Sequence, residues 1–407
     1  MAGSMPSGSS AKATDNQQKT QTFAFVAMTC LFFFWGFITV LNDILIPFLK
    51  DSFDLNYTQA MLVQFCFFGA YFIISPFAGV LIDKVGYQQG IILGLLTTAL
   101  GCFLFYPSAD LNIYEFFLFS FFVLASGITI LQVAANPYVA ALGPDKTAAS
   151  RLNLAQAANS LGTTVGPLVG AALILGVVAA DASAVQGPYL MLGLLLVLAA
   201  VMFRFIKLPR IASVESDQSK DDENIWNRRS LVLGALAIFL YVGGEVSIGS
   251  FLVNYFAEPS IAGLSHLEAG EMVAYYWGAA MIGRLVGAAA MNYVAPTKYL
   301  SLNALIAIVM IIVSMNTSGS VAMWSILAVG FFNSIMFPTI FTLAVKGLGS
   351  LTSKGSGLVC QAIVGGAVIP LVQGVAADTI GIQLSFIVPM LCYIYIGWYA
   401  LRGADQS

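Results

Sequence analysis

Charge is scarce in this chain. Asp, Glu, Lys and Arg together supply 9% of its 407 residues, against about a quarter in a soluble domain, whose surface must stay hydrated. Apolar residues make up 59%, and mean hydropathy is +0.87. Too little polar surface is present to face water, so lipid must cover the chain. Histidine is nearly missing as well: His266 is the sole one, and one imidazole in a predicted loop builds no metal cluster. The five cysteines, Cys30, Cys66, Cys102, Cys360 and Cys392, lie in apolar runs without CxxC or CxxH spacing. They read as small buried hydrophobes rather than metal ligands or disulfides. With no nucleophile–base pair or metal set at membrane depth, an intramembrane enzyme is excluded and no cofactor is expected. A net charge of −3 is too small to point to nucleic acid.

What the chain has in abundance is long apolar runs. A bilayer core of about 30 Å takes about 20 residues of helix, and twelve such runs can be marked. They start near Thr22, Tyr57, Gln88, Tyr114, Ser150 and Gly187, then near Arg229, Glu268, Lys298, Val321, Ser353 and Gly381. The expected organisation is a cytoplasmic tail over 1–21, a six-helix bundle over 22–207 and a polar, charged cytoplasmic linker over 208–228. A second six-helix bundle over 229–402 and a short cytoplasmic tail over 403–407 complete it. The MAGSMPSGSS start reads partly as a vector-derived scar, and the first apolar run is too long for a cleavable signal peptide.

The basic residues orient these spans. Of the 17 Lys and Arg, all but Lys50 and Arg284 fall in the tails, the linker or the even-numbered connections. Basic residues near span ends mark the cytoplasmic side, so both termini are expected inside. The outer loops are acidic instead, with Asp51, Asp54, Asp110, Glu115, Asp181 and Glu258.

The two halves are related in sequence. NPYVAALG and QAANSLGTTVGPLVG in the fourth and fifth spans find counterparts in FPTIFTLAVKGLG and QAIVGGAVIPLVQG in the tenth and eleventh. Pro137 pairs with Pro338, Gln156 with Gln361, Pro167 with Pro370, and Gly36 with Gly243. Parallel six-helix halves of this kind resemble the major facilitator superfamily. Between the second and third spans, Gly79, Asp83, Lys84 and Gly86 fall at the positions of that superfamily's loop signature, G-x-x-x-D-[RK]-x-G. The glycines allow close helix approach, and the charged pair can latch the halves. Gly283 to Gly287, with Arg284, is a degenerate copy, so Arg284 is also read as a latch. The fold class is therefore all-α: twelve transmembrane helices in two pseudo-symmetric six-helix bundles.

Ionisable residues at membrane depth are costly and usually face a wet cavity. Glu245 lies midway along the seventh span and Asp43 in the outer half of the first; both are candidate ion-coupling residues. Gln132 and Asn136 lie one turn apart on the fourth span, and Gln156 and Asn159 share a face of the fifth. Asn333 and Gln361 hold related positions in the second half. Amides donate and accept at once, which suits the adjacent hydroxyls of a sugar. Aromatic residues such as Trp35, Trp277, Tyr275 and Phe68 could pack on the apolar face of a sugar ring. Prolines after Asn136, Gly166, Phe337 and Ile369 free backbone carbonyls at comparable depths, as mobile cavity-lining helices tolerate.

FFFWGFITVLNDILIPFLK, AANPYVAALGP, RLNLAQAANSLGTTVGP and GGEVSIGSFLVNY together resemble the fucose–proton symporter family, its glucose/galactose branch above all. That resemblance implies secondary active import of a hexose in a bacterial inner membrane. It also implies ion coupling at Asp43, and sugar contacts at Asn136, Gln156 and Asn159. Where the fucose branch has an essential glutamate, this chain has Gln132, which cannot carry a proton. Either Asp43 couples alone, or Glu245 replaces the lost acid, or the ion is sodium, held by oxygen atoms of Asp43 and Gln132. The departure favours glucose or galactose over fucose. The remaining expectations are a lipid bilayer and a small sugar as partners, no nucleic acid, and a monomer as working unit. Drug or lipid efflux is the competing class.

Overall fold

The computed structural model describes residues 22–40, 49, 53, 57–170, 185–206, 208 and 224–404. Asp43, the first tail, most of the linker and residues 405–407 lie outside the described residues. The helices of the first half are α1 (Thr22–Val40), α2 (Tyr57–Val85), α3 (Tyr87–Leu111), α4 (Tyr114–Ala141), α5 (Ala148–Gly170) and α6 (Gln186–Phe205). Those of the second half are α7 (Arg229–Ala257), α8 (His266–Ala290), α9 (Pro296–Asn316), α10 (Gly319–Ala344), α11 (Gly349–Ile380) and α12 (Ile382–Arg402). Each begins within a few residues of an apolar run marked in the sequence. Ten are long and apolar enough to cross a membrane. The other two, α5 and α8, carry Gln156, Asn159 and Arg284, so polar side chains that face the interior lower their hydropathy.

Several helices are interrupted where the chemistry demands it. Ser334 and Ile335 form a turn inside α10, because Pro338 cannot return an N–H to the Ser334 carbonyl. A short 3₁₀ segment, Ala362–Val364, interrupts α11 just before Gly365 and Gly366. At the head of α8, the Ser265 hydroxyl and the Glu268 side chain cap one another's backbone N–H groups.

Within the first half, α3 packs on α4 and α6, and α2 packs on α4. Within the second, α9 packs on α10 and α12, and α7 on α11 and α12. The repeat seen in the sequence is also a repeat of contacts. Gly36 of α1 lies against the Asn159 main chain of α5, and Gly243 of α7 lies against Gly365 and Ile369 of α11. A Cβ at either glycine would meet atoms already there.

The halves meet along two seams, α2 with α11 and α5 with α8. Both seams are tight at the end of the molecule that carries the basic connections. There, Gly79 abuts the Ser353 carbonyl and Lys354, and Ser150 donates to the Ala288 carbonyl at 2.5 Å. Gly86 takes a left-handed φ of 83° between α2 and α3, a conformation glycine adopts freely. Asp83 and Lys84 are exposed at this turn. The close approach of the halves therefore runs through Gly79 rather than through the charged pair.

Candidate functional site

A cavity of about 220 Å³ lies between the halves, lined from α1, α2, α4, α5, α7, α8, α10 and α11. It is smaller than the roughly 300–1,000 Å³ of drug-sized sites. Its first-half wall is neutral and polar. Gln132 of α4, Gln156, Asn159 and Thr163 of α5, and Thr39 of α1 supply amides and hydroxyls. Trp35 of α1 adds an aromatic surface, tilted against Phe32 with ring centres 5.1 Å apart. Gln132 donates to the Tyr71 hydroxyl of α2, and Asn159 donates to the Phe32 carbonyl at 3.0 Å.

The second-half wall is charged. Glu245 of α7 accepts a hydrogen bond from Tyr241 at 2.7 Å, one turn back on the same helix. Arg284 of α8 approaches the same carboxylate oxygen at 3.8 Å, and each of the two side chains is 13% exposed. Arg284 also donates to the Ser334 carbonyl at 3.1 Å and to the Ser160 hydroxyl of α5. Each charge offsets the cost of keeping the other away from water. Its place in the degenerate loop copy predicts that Arg284 is a latch near the inner mouth. The structure puts it on the cavity wall, where it ties α8 to α5, α7 and α10.

Other expected contacts fall elsewhere. Asn333 is fully buried below the surface of the second half, where its amide donates to Tyr276 at 2.7 Å and Tyr393 at 2.9 Å. It joins α8, α10 and α12. Gln361 donates across the seam to the Phe72 carbonyl of α2 at 3.1 Å. That carbonyl is available because Pro76, four residues on, has no N–H for it. Trp277 packs edge-on against Tyr276, beside Gly249 of α7, and is absent from the cavity lining. Tyr275 packs against Trp324, and Phe68 covers Gly366. Asn136 is also absent from the cavity: it is 0% exposed, one turn along α4 from Gln132.

Sequence reasoning missed Tyr71, Tyr241 and Ser160. Tyr241 had a signal, since it precedes Glu245 by four residues and so shares its helix face. Tyr71 had none, being one of several aromatics in FCFFGAYF.

The arrangement can hold a small, neutral, hydroxyl-rich solute. Amides and hydroxyls on one wall and a phenol, carboxylate and guanidinium on the other supply donors and acceptors at close quarters. A profile described as the Major Facilitator Superfamily matches residues 24–369. A glucose/galactose transporter of Brucella abortus is 55% identical over 412 residues, covering 100% of both chains. The L-fucose-proton symporter of Escherichia coli is 33% identical over 416 residues, covering 94% of each. Among solved structures, the transporter FucP in the outward conformation superposes with a TM-score of 0.88 at 33% identity. That superposition covers 95% of this chain and 99% of the other. The resemblance to the glucose/galactose branch is thus the stronger one in identity, and twelve helices in two related sets carry the matching fold. The chain belongs to the Major Facilitator Superfamily.

Proposed function

We propose that this protein imports a hexose, glucose or galactose, by cation-coupled symport and alternating access. It is a carrier and makes or breaks no covalent bond. The observation that carries the reading is the amide-lined cavity between the halves, facing the Glu245–Arg284 pair. Gln132, Gln156 and Asn159 hold the sugar hydroxyls, and Trp35 covers the apolar face of the ring. The names of the relatives at 55% and 33% identity support a sugar as substrate. A small polar cavity also fits drug or lipid efflux poorly, because such carriers need a wide apolar chamber.

In this reading the basic end faces the cytoplasm of a bacterial inner membrane, and the tight basic end makes this the outward-facing state. One chain contains both halves and acts as a monomer. Sodium or a proton occupies Asp43 or Glu245, with Gln132 adding an oxygen ligand for sodium. Ion binding favours the loaded carrier over the ion-free loaded one by differential affinity, which is what coupling requires.

The test is uptake of radiolabelled glucose and galactose into proteoliposomes, with sodium and pH gradients imposed separately. Accumulation driven by one gradient is expected. Saturable uptake that ignores both gradients replaces symport with facilitated diffusion, and absence of saturable uptake removes the sugar.

A further inference from the structure

The cavity is not the only hollow between the halves. A second one, of about 530 Å³, opens at the basic end and takes lining residues from α4, α5, α9, α10 and α11 and from the connections that follow α4, α8 and α10. The layer that separates the two is thin. On α4, Gln132 lines the upper cavity and Ala140 the lower vestibule, a distance of about 12 Å at 1.5 Å per residue. On α5 the corresponding pair is Gln156 and Ala149.

What fills that layer is polar. Asn136 stands four residues from both Gln132 and Ala140, on their helix face. Asn153 stands three residues from Gln156 and four from Ala149, again on one face. Both are 0% exposed. Asn153 donates to the Ala149 carbonyl at 2.9 Å and reaches the Thr339 hydroxyl of α10 at 3.4 Å. It also touches Met291, which lines the vestibule. Its carbonyl oxygen has no hydrogen-bond partner among the described residues, and neither amide atom of Asn136 has one.

An apolar plug would seal the passage at no such cost, since buried polar groups are ordinarily paired and an orphaned amide is expensive. Three unpaired amide atoms in one layer call for a ligand that arrives in another conformation. We propose that Asn136 and Asn153 form a second sugar-ligating station on the exit route. It is sealed here and opens to the vestibule when α4 and α5 part from α10 and α11. There the freed amides take over adjacent sugar hydroxyls from Gln132 and Gln156, about 5 Å up the same two helices. The inference rests on the proposed sugar transport and adds the residues that make release stepwise.

The test measures half-saturation by glucose and galactose from each side of the reconstituted full-length protein. Asn136→Ala and Asn153→Ala are expected to raise the basic-side value roughly tenfold, as for a lost hydrogen bond. The opposite side should stay within about twofold. Asn136→Ser, which returns a hydroxyl, should recover part of the basic-side loss, and with Asn153→Ala it gives the same readout if Asn136→Ala does not fold. Equal changes on both sides, or none on the basic side, overturn the exit station while leaving sugar transport standing. Absence of saturable flux in the unchanged protein overturns the sugar reading, and this inference with it.

Discussion

Ser356 of α11 donates to the Val133 carbonyl of α4 at 2.9 Å, an acceptor left free because Pro137, four residues on, has no N–H. Gln361 stands in the same relation to Phe72 and Pro76, and Arg284 to Ser334 and Pro338. Proline in these helices presents a main-chain oxygen to a neighbouring helix. Two of the three bonds join the halves, so both must break when the basic end opens.

Ser356→Ala and Gln361→Ala each remove one such tie, worth about 1 kcal/mol. Each should shift the carrier toward opening at the basic end. A reporter cysteine at Ala140, in a background without the five native cysteines, should then be alkylated about fivefold faster. Unchanged labelling in both variants would mean that the ties do not hold this state.

Glu245 and Arg284 should behave as one unit. Glu245→Gln or Arg284→Met alone leaves a charge without its partner, at a cost of about 3–5 kcal/mol where such a pair is buried. The double variant should melt closer to the unchanged protein than either single one does. Thermal unfolding in detergent measures this, and additive losses would show that the pair is not coupled. Uptake should fall in all three variants.

Gln132 and Tyr71 make a separable prediction. Tyr71→Phe removes the hydroxyl that receives the Gln132 amide and should weaken sugar binding about threefold to tenfold. Gln132→Glu places an ionisable group where the chain now has a neutral one. Uptake by that variant should depend more steeply on an imposed pH gradient than uptake by the unchanged protein. Identical gradient dependence would remove Gln132 from the coupling site.

The glycines of the α2–α11 seam leave no room for a side chain. A Cβ on Gly79 would lie 2.9 Å from the Ser353 carbonyl oxygen, and one on Gly357 would lie 2.8 Å from the Ser75 carbonyl oxygen. Gly79→Ala and Gly357→Ala should therefore push α2 and α11 apart and, like loss of the two ties, speed alkylation of the reporter cysteine at position 140. Unchanged labelling in both variants would show that this seam does not close the basic end.

The architecture was legible in the sequence because bilayer thickness leaves few choices. Each apolar run had to be a spanning helix, which places α7 near Arg229 and α9 near Lys298. The internal repeat then paired Gly36 with Gly243, and both prove to be close-contact glycines. Depth and residue type alone pointed to Gln132, Gln156, Asn159 and Glu245, all of which line the cavity.

The same logic could not sort one buried amide from another. Asn333, Gln361 and Asn136 share the chemistry of Gln132, yet one binds two tyrosines, one binds a main-chain carbonyl, and one has no partner among the described residues. An amide has the same donors and acceptors wherever it sits. Its partner depends on which helix faces it and at what rotation, and those neighbours lie 57 to 289 residues away in the chain. Sequence determined the spans, their pairing into halves and the polar residues at depth; only packing decided which of those residues line the passage and which hold its walls together.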